Sequence, residues 1–269
     1  MPHNQKHAIN STNDHLGIEG MPEGNIYIAN ANGIPSDSGY HYWKTISYTT
    51  ADQTIYVSPS GSDENGDGTE GNPYKTIQHV WDNVIPWYVN HIITIQLLDG
   101  TYTLTSNIEL TGKTGKGKVN IQGNSSDRTQ VVIDGDNHTY KINIATFVYI
   151  AIEHLKTYKI RNINIRSRPP FWTQLGHYIH NCVLDSGLYG IHLNGGGAYV
   201  YDCDITNNTY DAIYVADAGY VRSRSNTSTV TNGRYGLYAR MQGLIAKEDS
   251  TQPTGSTANE HTANGGEIE

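Results

Sequence analysis

The chain has 269 residues, 16% charged and 36% hydrophobic, with 20 Tyr against 2 Phe and a formal net charge of −8. That length suits one elongated domain with accessory segments rather than several independent cores. The acidic balance, with no basic stripe, argues against a nucleic-acid partner. No apolar run approaches the ~20 residues of a membrane helix, and two cysteines are too few to staple a small secreted fold.

The polar weight rests on Gly, Asn, Thr and Ser, which suits turn-rich β architecture better than helix bundles. Tyr supplies a flat apolar ring with a wettable end, fitted to half-exposed faces and binding surfaces. The opening Met1-Pro2-His3-Asn4-Gln5-Lys6-His7 lacks the hydrophobic segment of a secretory signal, so synthesis in a cytoplasm without that export route is expected.

Residues 1–53 read as an irregular polar arm with one strand-like patch at 25–29. Such a segment buries too little to fold alone and is expected to pack on neighbours or partner chains. Ile55-Tyr56-Val57 reads as a strand, and 58–72 as a Gly/Asp loop. Over 76–85, Ile77, Val80, Trp81, Val84 and Ile85 recur at helical spacing until Pro86 ends the pattern. Short β runs follow at 92–98, 102–104, 107–110, 119–122 and 131–134, each bounded by Gly, Asp or Asn. The stretch 142–155 is β-branched and aromatic and is taken as strand.

From 158 to 249 the sequence repeats. Tyr178-Ile179-His180-Asn181-Cys182-Val183-Leu184 aligns with Tyr199-Val200-Tyr201-Asp202-Cys203-Asp204-Ile205, and Tyr220-Val221-Arg222 reads as a third copy at the same 21-residue spacing. Ile160-Arg161-Asn162-Ile163-Asn164-Ile165 reads as an earlier copy. A second series interleaves: Tyr189-Gly190-Ile191-His192-Leu193, Asp211-Ala212-Ile213-Tyr214-Val215 and Tyr235-Gly236-Leu237-Tyr238-Ala239. Two interleaved strand series mark a solenoid. About 21 residues is too short for a helical hairpin of ~34 residues and matches one coil of a β-helix. The expected fold is therefore all-β, a right-handed parallel β-helix over 54–250, with a capping α-helix near 76–85. The stretch 251–269 loses the repeat and reads as a linker or interface segment.

Alternation points Ile179, Cys182 and Leu184, then Val200, Cys203 and Ile205, inward. It turns His180, Tyr201 and Arg222 outward on one face, and His192, Tyr214 and Tyr238 on another. Asn181 and Asp202 fall where the chain must bend, a place suited to left-handed dihedrals. Cys182 and Cys203 stack at a distance a disulfide tolerates, yet parallel side chains and cytoplasmic folding favour free thiols.

Ile55-Tyr56-Val57-Ser58-Pro59-Ser60-Gly61-Ser62-Asp63, Asp67-Gly68-Thr69 and Asn72-Pro73-Tyr74-Lys75-Thr76-Ile77-Gln78, continued by Ile95-Gln96-Leu97-Leu98-Asp99-Gly100-Thr101-Tyr102, resemble the N-terminal signature of pectate-lyase-like β-helix proteins. The resemblance covers 54–249. It implies architecture rather than one chemistry, because that superfamily spans lyases, hydrolases, epimerases and non-catalytic spikes. Residues 7–15 and 32–39 are similar to the leader of phage tail spikes and fibres. Together these resemblances imply a virion tail protein made in the host cytoplasm, trimeric, with its arm on other tail or baseplate proteins and its solenoid on a host cell-surface polysaccharide.

His192, Tyr214 and Tyr238, with Asn194, Asp211, Asp217 and Arg240 beside them, are expected to form an outward groove in which Tyr stacks on sugar and polar groups bind hydroxyls and carboxylates. Tyr201 and His180 join them as substrate-binding candidates. The bland alternative is a decorated solvent face. A glycosidase would need two carboxylates ~5–9.5 Å apart, for which Asp211 with Asp185 or Asp204 are candidates. A lyase would need a base, which His192, Tyr214 or Arg240 would serve. Exposed Asp residues on such folds are otherwise turn formers, and a rigid spacer without glycan binding stays open as a third reading. No cofactor is expected. Asp63, Asn65 and Asp67 match the first half of a Ca²⁺ loop, but its twelfth position is Tyr74 instead of an acid, so a tight turn is the simpler reading.

Overall fold

The computed structural model describes residues 25–29, 43–167 and 176–269, with side chains described from residue 48. From residue 53 the chain is a parallel β-solenoid of about seven turns. From Ile92 to Ala216 each turn visits three sheets in the same order, and the turns before and after this stretch lack a sheet-two strand. Sheet one stacks Gln53–Val57, Ile92–Leu97, the second halves of Ile108–Gln122 and Ile142–Glu153, then His177–His180, Gly197–Tyr201, Tyr220–Arg224, Leu244–Lys247 and Glu267–Ile268. Sheet two stacks Gly100–Thr103, Val131–Asp134, Lys156–Tyr158, Val183–Asp185 and Asp204–Thr206. Sheet three stacks the first halves of the two long strands, then Ile163–Ile165, Ile191–Asn194, Ile213–Ala216, Tyr235–Arg240 and Ala258–Ala263.

The runs at 107–110 and 119–122 are one bent strand, Ile108–Gln122, that rounds the corner from sheet three to sheet one. Its glycines, which read as breaks, supply the bend. Gly115 has φ 139°, and a Cβ there would lie 2.0 Å from the Val89 carbonyl oxygen. The corner from sheet one to sheet two is a column of single left-handed residues: His154 (φ 58°), Asn181 (φ 48°), Asp202 (φ 56°) and Ser225 (φ 52°). The expected bends at Asn181 and Asp202 are thus in place.

The inward residues read from the repeat are all buried, and Cys182 and Cys203 are free thiols. Three readings of the repeat are corrected. Gly197 pairs with Tyr220 and Tyr199 with Arg222, so the step into the seventh turn is 23 residues, and Arg224 rather than Arg222 stands over Tyr201. The shift of two preserves which side chains face inward, so alternation could not reveal it. Ile163–Ile165 belongs to sheet three, under Ile191–Asn194, and not to the Tyr178 series. Finally, 251–269 continues the solenoid through Ala258–Ala263 and Glu267–Ile268. Its core is polar instead of aliphatic, and so it escaped notice: buried Asn208 donates to the Asn232 Oδ1 at 2.8 Å, and Asn232 donates to the Thr254 carbonyl at 2.9 Å.

The expected helix near 76–85 is one α turn, Ile77–His79, continued as a π turn, Val80–Val84. It takes the place of a sheet-three strand in the first turn. The Gln78 side chain does the pairing a strand would do: its Oε1 accepts from the Glu109 N–H at 2.7 Å and its Nε2 donates to the Glu109 carbonyl at 3.3 Å. An exposed strand edge is thereby closed. The strand at Asn25–Ala29 pairs antiparallel with Trp43–Ser47. Residues 7–15 and 32–39, which carry the leader resemblance, lie outside the described residues.

At the start of the fifth strand of sheet one, fully buried His177 accepts from the Ile150 N–H through Nδ1 and meets the Ser167 hydroxyl at Nε2. Burial pulls its pKa from 6.5 down to about 3. The unfolded chain therefore takes up this proton more readily than the folded one. The neutral imidazole's contribution is fully present above pH 6.5 and is lost as pH falls toward 3. His192 and His154 shift the same way, mainly through burial. Urea midpoints between about pH 7.5 and 4.5 are expected to fall steadily, and to fall less in His177→Gln. An equal decline in that variant would remove His177 as a source.

Candidate functional site

Over its last four turns sheet three carries one ring per turn in the same register. Parallel register stacks Asn164, His192, Tyr214, Tyr238 and His261 in a single column. Stacked strands lie ~4.8 Å apart, close to ring-contact distance. The centroid separations are 4.6 Å for His192–Tyr214, 5.3 Å for Tyr214–Tyr238 and 5.0 Å for Tyr238–His261. A second row stands at the entry to the sheet. Tyr189 stacks on His192 at 5.1 Å and touches Tyr210 at 5.2 Å, and Tyr235 stacks on His261 at 4.4 Å. The result is an aromatic surface that crosses four turns, in which Tyr210 is exposed, His192, Tyr214 and His261 are half-buried and Tyr238 is buried among its neighbours.

Arg234 lies among these rings, 5.3 Å from the centroids of Tyr235 and Tyr238 and 5.6 Å from Tyr210. Its partner is Asp211, which is fully buried. Arg234 donates through Nε to Oδ1 at 2.8 Å and through Nη2 to Oδ2 at 2.5 Å, and the Tyr235 N–H adds a third bond at 3.2 Å. The hydrogen bonds to Asp211 raise the Arg234 pKa further above its ordinary value, so it stays charged. Asp211 therefore does not open onto the groove; it fixes the guanidinium that does. A planar cation against tyrosine faces is a strong recognition element because both partners keep a fixed geometry.

The other proposed residues separate into two faces. Asn194 and Arg240 lie in the outward column beside the ladder, and exposed Asp217 sits in a left-handed turn just past it. His180 and Tyr201 stand on sheet one, apart from the ladder. There Tyr178 stacks on His180 at 5.3 Å, Arg224 covers the Tyr201 ring at 4.3 Å, and His180 lies 3.3 Å from Asp202 and 3.8 Å from Glu153. Sequence reasoning missed Arg234, Tyr189, Tyr210, Tyr235 and His261. The Tyr positions at the head of each second-series copy were the available signal.

Acid–base tuning in the ladder runs away from neutrality. Burial, then the Arg166 charge, lowers His192 to about 4, while burial raises Tyr214 above its usual value. The carboxylates considered for hydrolysis are committed elsewhere as well. Asp185 pairs with Lys156 at 2.8 Å, and Asp204 accepts from the Thr229 N–H at 2.8 Å and its hydroxyl at 2.5 Å. In the Gly/Asp loop, Asp63 accepts from the Lys75 and Thr76 amides and the Thr76 hydroxyl, tying the loop to the helix start. Asp67 accepts from the Thr69 amide and hydroxyl, and the Asn65 carbonyl accepts from the Asn72 side chain. Among the described residues no three His, Cys, Asp or Glu side chains converge as a metal site.

No protein-family model matches the chain, and no curated protein or solved structure shows significant similarity to it. The local geometry itself is testable. Asp211→Asn breaks the pair under the ladder, and a loss of about 2–3 kcal/mol is expected, at the low end for a buried pair because Arg234 reaches solvent. Urea unfolding measures it; an unchanged midpoint would mean that Arg234 is held by the rings alone.

Proposed function

We propose that the solenoid binds polysaccharide along the sheet-three ladder, in the setting of a phage tail spike or fibre that attaches the virion to its host's surface. The observation that carries the reading is the unbroken run His192, Tyr214, Tyr238 and His261, flanked by Tyr189, Tyr210 and Tyr235, with Arg234 locked among them. Sugar rings present apolar C–H faces that pack on aromatic rings, and their hydroxyls take up the polar edges. A ladder with one ring per turn offers a polymer a repeating track, which suits a chain of sugars better than a small ligand in a cavity.

Attachment is favoured over depolymerisation by the state of the titratable groups. General acid–base catalysis works best with pKa values near the operating pH; His192 sits near 4 and Tyr214 above its usual range. Asp211, Asp204 and Asp185 are occupied by Arg234, Thr229 and Lys156. The tail setting, the trimer and the contact of the arm with other tail proteins rest on the resemblance of 54–78 and of the leader residues.

The experiment is an array of microbial surface polysaccharides probed with the full chain. Retention of at least one polymer is expected, weakened about tenfold by Tyr214→Ala or Tyr189→Ala, the size of a lost stacking contact. Release of new reducing ends or unsaturated sugars, abolished by Tyr214→Phe, would shift the reading to a depolymerase. No retained polymer would leave a rigid spacer.

A further inference from the structure

Beside the aromatic ladder runs a second outward column whose charge is positive. Arg166, one residue past Ile165↔Leu193, lies level with Asn194; Asn194 pairs with Ala216; and Arg240, level with Ala216, pairs with Ala263. Arg166 and Arg240 are thus three coil rises apart, about 14 Å. Only Asn194 and the methyl of Ala216 stand between them. Among the described residues Arg166, and its neighbours Arg161 and Lys141, make no side-chain hydrogen bond or ion pair. All three lie close enough to His192 to depress its protonation. The carboxylates nearby are few: Asp217 is exposed at the turn, Glu109 is bonded by Asn107 and Asn143, and Asp211 is held by Arg234.

Two unpartnered polar atoms lie beneath the same face. Buried side-chain atoms without a hydrogen-bond partner are rare in native structures and call for an explanation. Among the described residues three such atoms occur, and two of them are Asn162 Oδ1, one residue before the Ile163–Ile165 strand, and Arg240 Nε, in the Tyr235–Arg240 strand. Asn162 is only 5% exposed, and its amide nitrogen lies 3.1 Å from His192 Nδ1, so its unpartnered oxygen sits at the head of the ladder. Arg240 flanks Tyr214 near the other end. Both atoms are closed to solvent, so they belong to the packing beneath the column, and the exposed charge there is carried by Arg166.

We infer that sheet three selects an acidic polysaccharide, with sugar rings along His192 and Tyr214 and oxyanions seated on the guanidinium forks of Arg166 and Arg240. The inference rests on the glycan-binding reading and adds the charge of the polymer to it. Arg presents a planar fork that grips a carboxylate through two parallel bonds, which a lysine ammonium does not reproduce. Acidic groups recurring along the polymer at the 14 Å spacing of the two arginines, as estimated from strand stacking, would engage both at once.

The test prints each polysaccharide of the array in native and carboxyl-reduced form, and measures the full chain beside Arg166→Gln, Arg240→Gln, the double variant and Arg240→Lys. Lys75→Gln, at the distant cap loop, serves as the control. Retention confined to native acidic polymers is expected, with a loss of about tenfold for each Gln variant, the size a charge-assisted hydrogen bond carries. Arg240→Lys should recover only part of that loss, Lys75→Gln should match the wild type, and affinity should fall with added salt. Equal binding of reduced and native polymer, still weakened by Tyr214→Ala, would overturn the acid selectivity and leave the glycan reading standing. Binding to no polymer would overturn both.

Discussion

Everything on this molecule's surface depends on in-register parallel hydrogen bonding between successive turns. A parallel ladder places residue over residue at ~4.8 Å, so any position that repeats a side-chain type becomes a continuous row. Inside, the rows are aliphatic: Ile121 pairs with Ile152 and Ile152 with Ile179, all buried. Outside, the same rule turns isolated aromatic residues into a ladder. No single turn could build the His192–His261 track, since each contributes one ring to it. The binding surface is therefore a property of the stack, and anything that shifts the register moves every ring together.

A stack of this kind must also manage its ends and corners. At the N-terminal end the helical turn closes the edge with its Gln78 amide, a side-chain imitation of a strand. At the corners left-handed residues turn the chain in one step, and their side chains tie neighbouring turns: Asn181 bonds the His154 ring at 2.8 Å and accepts from Arg128 at 2.9 Å. Toward the C-terminal end the interior changes from Ile to Asn and Ser. Asn232 there donates to backbone carbonyls of two other turns, Ile205 and Thr254, so polar bonding takes over part of the role of apolar burial.

The sequence made the solenoid legible through period and alternation, and both are backbone rules that survive without any homologue. The second strand series was readable in full register because its side-chain pattern recurs although the step changes from 22 to 24 residues: Ile191, Ile213 and Leu237 do lie over one another. The first series was readable only to Tyr201. Beyond it two residues are added, one between Thr206 and Ile213 relative to Asp185 and Ile191, and one where Asp217-Ala218-Gly219 replaces Gly195-Gly196, and the Tyr-Val match at Tyr220 is blind to both. The chemistry was less legible than the fold. Asp211 reads as an exposed acid until its neighbour in space, Arg234, is known, because the pair is separated by a whole turn. His261 stood in a segment where Glu260 and Thr262 take the register of Leu237 and Ala239, which hid the last rung.

The electrostatics of a net-acidic chain with a cationic column are consistent once distance is considered. At physiological salt, charges on the surface are screened beyond ~8 Å, so the −8 of the whole chain contributes little at the ladder itself. What a ligand meets there is the local set, Arg166, Arg161, Lys141, Arg240 and Arg234, of which only Arg234 is ion-paired with a carboxylate among the described residues. Overall acidity then works at longer range and lower salt, where it slows the approach of any polyanion and so disfavours loose, non-specific adsorption. Contact-range attraction combined with long-range repulsion selects for ligands that reach the column with their rings already aligned to the ladder. Charge thereby adds to shape selectivity instead of replacing it.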